Sequence, residues 1–320
     1  MSWPSAARLV LVTALLCCPG CQPSPSTPAA APSAARQELA PAIAFCSTCD
    51  DPKGDIYAMT ATGQGARPLV AEEGAQADPA WSPDGRQLAF ASRQAGGWGI
   101  FVCDADGQDV RNLTHSLASD RHPAWSPDGR RLAYDSRGQG GAVIQTMRAD
   151  GSDRVTLTDG YGSDTHPSWS RDGRRLVFDS GRGGTAQLYL MDADGSDQRR
   201  LPTAGLRATE PSWSPHDDRI AFVGGLGSAG RIYLVNADGS GFRRLTHDDR
   251  PERDPAWSRD GTRIVYAAPS AKLRAGQPAG NWDIWVAPAA GGHSRRLTSD
   301  PAKDVSPAWR PLPPQEGRTQ

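Results

Sequence analysis

Residues 79–90 read Pro-Ala-Trp-Ser-Pro-Asp-Gly-Arg-Gln-Leu-Ala-Phe, and this stretch decides the fold. Ser82-Pro83-Asp84-Gly85 is tight-turn chemistry, with proline presetting φ and glycine supplying a positive φ. Residues 86–90, Arg-Gln-Leu-Ala-Phe, then read as a second short strand that ends in an apolar run. The pattern returns as PAWSPDGRRLAY from Pro123, PSWSRDGRRLVF from Pro167, PSWSPHDDRIAF from Pro211 and PAWSRDGTRIVY from Pro255. A truncated copy, PAWRP, starts at Pro307. The first four intervals are 44 residues each and the fifth is 52. Self-similarity at such a period is the mark of a repeat architecture.

Each unit carries four short strand signals. The Pro-x-Trp segment is the first and the stretch after the turn is the second. A third follows a Gly-rich loop, at residues 100–103, 188–191, 232–235 and 284–286. Asp104-Ala105-Asp106-Gly107 and its counterparts at 192–195 and 236–239 read as a second hairpin turn. The fourth strand is Arg111-Asn112-Leu113-Thr114, echoed at 243–246 and 295–298. Four strands per repeat of about 40–45 residues define a propeller blade. Five units are complete. Residues 43–45, 55–59 and 67–70 supply strands two to four of another, and 307–309 supply its missing first strand. The expectation is therefore an all-β, six-bladed β-propeller of four-stranded antiparallel blades over residues 41–311. N- and C-terminal strands together close the sixth blade, which removes the free sheet edges of an open array. Trp81, Trp125, Trp169, Trp213, Trp257 and Trp309 are expected to pack between neighbouring blades.

The PxWSPDGxxLAF motif, followed by turns of the form found in LYLMDADG at 188–195, resembles the WD40-like repeat of the TolB propeller. The likeness spans residues 41–311. It implies the propeller fold and a place in the bacterial Tol–Pal envelope system, where TolB is periplasmic. TolB also carries an N-terminal α/β domain. Here a tether precedes the first blade, so the expected resemblance is to the propeller alone. Fold and site are separate questions, and the resemblance implies a binding module rather than a particular partner.

Residues 1–20 read as a signal peptide, with Arg8 in the positive region and an apolar run at 9–18 too short to span a membrane. Gly20-Cys21 fits a lipoprotein junction, making Cys21 the candidate lipidation site; plain secretory cleavage is the alternative. Gln22 resembles lipoproteins sorted to the outer membrane. Residues 21–40 are Pro-, Ala- and Ser-rich without apolar periodicity, a disordered tether, and 312–320 form a disordered tail. The expected location is the cell envelope, facing the periplasm. Cys46 and Cys49 are a candidate disulfide, with free thiols as the other reading.

Two rows of side chains point to a site. One residue before each repeat proline stand Asp78, His122, His166, Glu210, Asp254 and Ser306. Three before stand Gln76, Asp120, Asp164, Ala208, Glu252 and Asp304. In an extended strand positions two apart share a face, so both rows are expected to ring the channel mouth. Asp120, His122, Asp164 and His166 make the densest cluster. Converging carboxylates and imidazoles suit a basic partner segment or a cation such as Ca2+; local turn capping is the bland alternative. No metal site is defined, and no other cofactor is implied. The loop at 269–281, with Lys272, Arg274 and the following Trp282, is a second candidate surface.

Catalytic motifs fail on context. Gly225-x-Gly227-x-x-Gly230 lies between strands, not between a strand and a helix. Neither G-x-S-x-G nor H-E-x-x-H occurs. With 35 basic and 36 acidic residues, the chain lacks the basic excess that nucleic acid needs. The expected function is non-catalytic binding of an envelope protein or peptide by a monomer, touching the membrane only through its lipid. The alternative is a glycan-binding protein, or a polysaccharide lyase or hydrolase using the carboxylates and histidines at the mouth.

Overall fold

The computed structural model describes residues 42–70, 72–94, 97–115, 117–225, 229–271 and 281–311. The proposed signal peptide, Cys21, the tether, most of the 269–281 loop and the tail lie outside them. The described residues form six four-stranded antiparallel sheets in a ring. Numbered in chain order, the innermost strands are Ala75–Trp81 in blade 1, Ser119–Trp125 in blade 2, Asp164–Trp169 in blade 3, Arg207–Trp213 in blade 4 and Arg253–Trp257 in blade 5. Blade 6 is the composite: Asp304–Trp309 pairs with Ile43–Ser47, followed by Asp55–Met59 and Arg67–Val70. Its register sets Ile43 opposite Trp309 and Ser47 opposite Asp304.

The repeat turn explains why each blade's first two strands meet in one register. In blade 1, the Ser82 hydroxyl donates to Asp84 (2.6 Å), while Asp84 accepts the Arg86 N–H (3.0 Å) and Ser82 accepts the Gln87 N–H (2.9 Å). The same arrangement recurs at Ser126/Asp128, Ser170/Asp172 and Ser258/Asp260. These Asp side chains are therefore committed to their own turns. In blades 1 to 5 the fourth strands are shorter than the sequence suggests, only two residues, as at Arg111–Asn112. A threonine side chain replaces the ladder beyond them: Thr114, Thr158, Thr246 and Thr298 each accept the N–H of the third-strand isoleucine at 2.9–3.3 Å.

The core lies between blades as much as within them. Ile100, Val102 and Leu113 of blade 1 pack with Trp125, Leu132, Tyr134 and Met147 of blade 2. The repeat tryptophans mark these seams. Trp125, Trp169 and Trp257 donate their indole N–H to Ala80, Ala124 and Ser212 of the preceding blade at 2.9–3.2 Å. Arg175, Arg219, Arg263 and Arg310 each lie over the tryptophan of the next blade at 4.8–5.2 Å. Arg310 over Trp81 carries this pattern across the closing seam between blades 6 and 1.

At that seam the chains approach very closely. Gly85 has φ +69°, and a Cβ there would lie 2.3 Å from the Pro311 carbonyl oxygen. Gly129 holds the same place in blade 2 with φ +70°, yet its Cβ would meet nothing nearer than Pro83 Cδ at 3.7 Å. Alanine at either position suffers the left-handed backbone, about 1–2 kcal/mol; only at Gly85 does it also push the closing strand away. Gly85→Ala is expected to cost at least about 1 kcal/mol more than Gly129→Ala in urea unfolding. Equal costs would contradict this packing of the seam.

Candidate functional site

The site begins with an unusual backbone. Asp78, His122, His166, Glu210, Asp254 and Ser306 all have φ between +50° and +55°. A residue before proline ordinarily stays extended, and a non-glycine residue in the left-handed region costs about 1–2 kcal/mol. Each of the six sits at a β-bulge. In blade 1, for example, Ala77 pairs with Ala91 but Ala80 pairs with Ala89, leaving one extra residue. The bulge breaks the alternation of side chains, so the two sequence-predicted rows part.

The row next to proline faces the channel. The row two residues earlier turns into the blade seams, contrary to the expectation of a shared face. Gln76, Asp120, Asp164, Glu252 and Asp304 are all buried. Gln76 donates to the carbonyls of Glu72 and Gly74. Asp164 is bridged by Arg182 at 3.0 Å. Glu252 accepts the Ile232 N–H (2.9 Å) and the Thr246 hydroxyl of the preceding blade. Burial pushes Glu252 up to about 7 and Asp304 up to about 6. Asp120, Asp164, Glu252 and Asp304 are thus buried outside the channel lining, with Glu252 bridging two blades.

In the channel the other row is linked into a belt by groups from neighbouring blades. His122 Nδ1 donates to Asp135 (2.6 Å), which also accepts the backbone N–H of His166 (3.2 Å). His166 Nδ1 is 2.9 Å from Asp179, which accepts the Glu210 N–H (3.1 Å) and, through its other oxygen, the Thr165 hydroxyl (2.8 Å). Glu210 accepts the Asp254 N–H (2.7 Å), and Asp254 accepts the Ser306 N–H (3.0 Å). Each of these carboxylates holds the left-handed residue of the next blade. Asp78 ends the belt, held by Arg121 at 2.9 and 3.3 Å. The His122 and His166 rings lie against each other with centroids 3.8 Å apart and planes tilted by 34°.

The electrostatics are uneven around the belt. Burial works against the charged form of His166, but Asp179, Glu210 and Asp135 overcome it and raise it to about 10. Burial would lift Asp78, yet His122 and Arg121 hold it below its usual value. Glu210 is pushed up to about 7, first by burial and then by the charge of Asp254. Among the described residues, no group of three or more His, Cys, Asp or Glu is arranged to hold a metal ion.

The belt is one end of a cavity of about 640 Å³. Its wall is the repeat prolines and the small residues that follow them, Ala80, Ala124, Ser168, Ser212, Ala256 and Ala308. Its other end is framed by turn residues, including Pro83, Pro127, Arg171, His216, Arg259 and Pro311. Pro127, Arg171, His216 and Arg259 are exposed, so this end meets solvent. The cavity thus runs from the belt to the face that carries the two tight hairpin turns of each blade; the loops that join one blade to the next lie on the opposite, variable-loop face.

Sequence reasoning missed Asp135 and Asp179. They occupy the position after the second-strand aromatic, where the other repeats have Cys46, Ala91, Val223 and Ala267. The signal was present, because the two Asp occur in the same two repeats that place histidine before proline. The disulfide expectation is corrected: Cys46, Cys49 and Cys103 are free. Cys46 is buried in Ile43–Ser47 with its thiol donating to the Gln76 carbonyl (3.2 Å), while Cys49 is exposed in the loop beyond. Burial, first of all, lifts Cys46 to about 12.

Six blades around a polar-floored bore define a β-propeller whose distinctive surface is its channel. The chain belongs to the PD40 family, the TolB beta propeller domain, matched over residues 27–161 and 120–270. Among solved structures it is similar to TolB from Acinetobacter baumannii, with 21% identity, 85% of this chain and 67% of that one covered, and a TM-score of 0.73. Putative TolB from Agrobacterium tumefaciens shares 18% identity over 85% of this chain and 100% of that one, with a TM-score of 0.65. An oligogalacturonate lyase in complex with manganese shares 18% over 81% and 73%, with a TM-score of 0.52. No curated protein matches the sequence. At these identities the structural likeness establishes the fold.

The raised Glu252 has a consequence for stability. Its folded value lies above its ordinary one, so as pH rises from about 4.5 to 7 the unfolded chain ionises first and stability falls. Glu252→Gln keeps an acceptor without the charge. It is expected to stabilise the fold by on the order of 2 kcal/mol at pH 8 and by nearly nothing at pH 4. Calorimetry at both pH values checks this; a gain independent of pH would contradict it.

Proposed function

We propose that this chain is a non-catalytic envelope propeller that receives an extended segment of a protein partner in its channel. The observation that carries the reading is the 640 Å³ bore, which meets solvent at the tight-turn face and is lined at its other end by a belt of ionisable groups. Its wall of small residues leaves room for a chain, and its floor offers a few oriented polar groups, the usual composition of a recognition site. Membership of the TolB propeller family supports an envelope role. The apolar run at 9–18 and Gly20-Cys21 support a periplasm-facing lipoprotein, and Gln22 supports its sorting to the outer membrane.

The paired His122–Asp135 and His166–Asp179 contacts favour a second reading, a glycan-binding protein or uronic-acid lyase. His166, held protonated well above neutral pH, is poorly suited to act there as a general base.

Affinity capture from envelope extract separates the two. The wild-type chain is expected to retain a discrete protein that a folded Glu210→Gln/Asp254→Asn variant loses, with no turnover of uronic-acid glycans. Turnover that disappears in His166→Ala would instead establish the enzyme, and the absence of any retained protein would overturn the partner reading.

A further inference from the structure

We propose that the occupant enters from the tight-turn face and carries an alkylammonium group that ends against Glu210 and Asp254. This rests on the channel reading above and adds a direction and a chemistry to it.

The direction follows from what lines the bore. The lining runs from the belt to the turn residues and includes none of Arg121, Thr165, Arg253 or Val305, the next residues toward the variable loops. At that end Arg121 is held on Asp78, His122 lies 3.6 Å from the same carboxylate, and the His166 ring packs against that of His122. Arg121 is also stacked on Trp98 at 4.5 Å, and Arg253 on Trp282 at 4.8 Å. At the opposite end, framed by Arg171, His216 and Arg259, the turn Asp residues are engaged within their own hairpins.

The chemistry follows from counting donors and acceptors at the inner end. The backbone N–H groups of His166, Glu210, Asp254 and Ser306 are all donated to carboxylates. An incoming anion would find these donors taken. Around the belt the carboxylates of blades 1 to 3 each have a side-chain partner: Asp78 has Arg121, Asp135 accepts from His122, and Asp179 has His166. Blades 4 and 5 differ. Glu210 and Asp254 adjoin one another as like charges, and burial plus that proximity push Glu210 upward. The positive groups acting on Glu210 are His166, already engaged by Asp179, and Arg253, which lies 3.5 Å from Asp254 and is 37% exposed. A cation entering here relieves the repulsion, and the sleeve of proline, alanine and serine suits the methylene stem of a lysine.

The test uses acetyl-Ala-Ala-Lys-amide, its norleucine and glutamate counterparts, n-butylammonium and butyrate. Binding to the full chain is followed through the ring C–H signals of His122 and His166. The lysine peptide is expected to bind roughly tenfold or more tightly than the norleucine one. The advantage should vanish in Glu210→Gln/Asp254→Asn. Ala256→Phe, which narrows the bore on the turn side, should abolish binding, and Ala80→Phe serves if that variant does not fold. Leu117→Ser and Tyr161→Ser, on the variable-loop face, should leave it unchanged. Equal binding of the lysine and norleucine peptides overturns the ammonium inference while the peptide reading stands. Binding of butylammonium without any peptide sinks the partner reading and keeps the cation site. Loss of binding in the loop-face variants alone overturns the direction, and no binding by any of the compounds overturns both.

Discussion

The left-handed residue before each repeat proline is the constraint on which the channel depends. One bulge per blade, six times around the ring, rotates the inner strand so that a single polar side chain turns into the bore. Without it, Asp78 and Gln76 would share a face, and likewise their counterparts. The strain is sustained because the N–H that the bulge exposes is caught by a carboxylate of the preceding blade at His166, Glu210, Asp254 and Ser306. Backbone strain held in place by its surroundings is a feature of binding and switching sites.

The same device couples neighbouring blades. Tryptophans and arginines join the seams, and Glu252 is buried across one of them. The belt adds a third connection that passes through charged groups. Neutralising one member therefore changes both the floor of the pocket and the hold on the next blade's backbone. Stability and recognition share residues here, which makes conservative amide substitutions the informative ones.

The fold was legible because its signals are local and repeated. Ser-Pro-Asp-Gly specifies a turn wherever it stands, and the orphaned 307–309 segment matches the missing first strand of the N-terminal unit. The site was half legible. Asp78, His122, His166, Glu210 and Asp254 line the channel as expected, but Asp120, Asp164, Glu252 and Asp304 were placed there by an alternation that the bulge interrupts. Rules for residues before proline argue against a left-handed backbone, so nothing local announced it. A partial hint lay in the residue types, since Asp and His tolerate that region better than most. Asp135 and Asp179 could have been found by comparing repeats rather than reading each alone.

The account turns on which of the two rows faces the bore, and cysteine accessibility reads that directly. In a Cys49→Ser background, His122→Cys, His166→Cys and Ser306→Cys should react with a small water-soluble thiol reagent in the native state. Asp164→Cys and Asp304→Cys should react only on unfolding. Native-state labelling of both sets alike would show that the rows point the same way after all, and the belt described above would not exist.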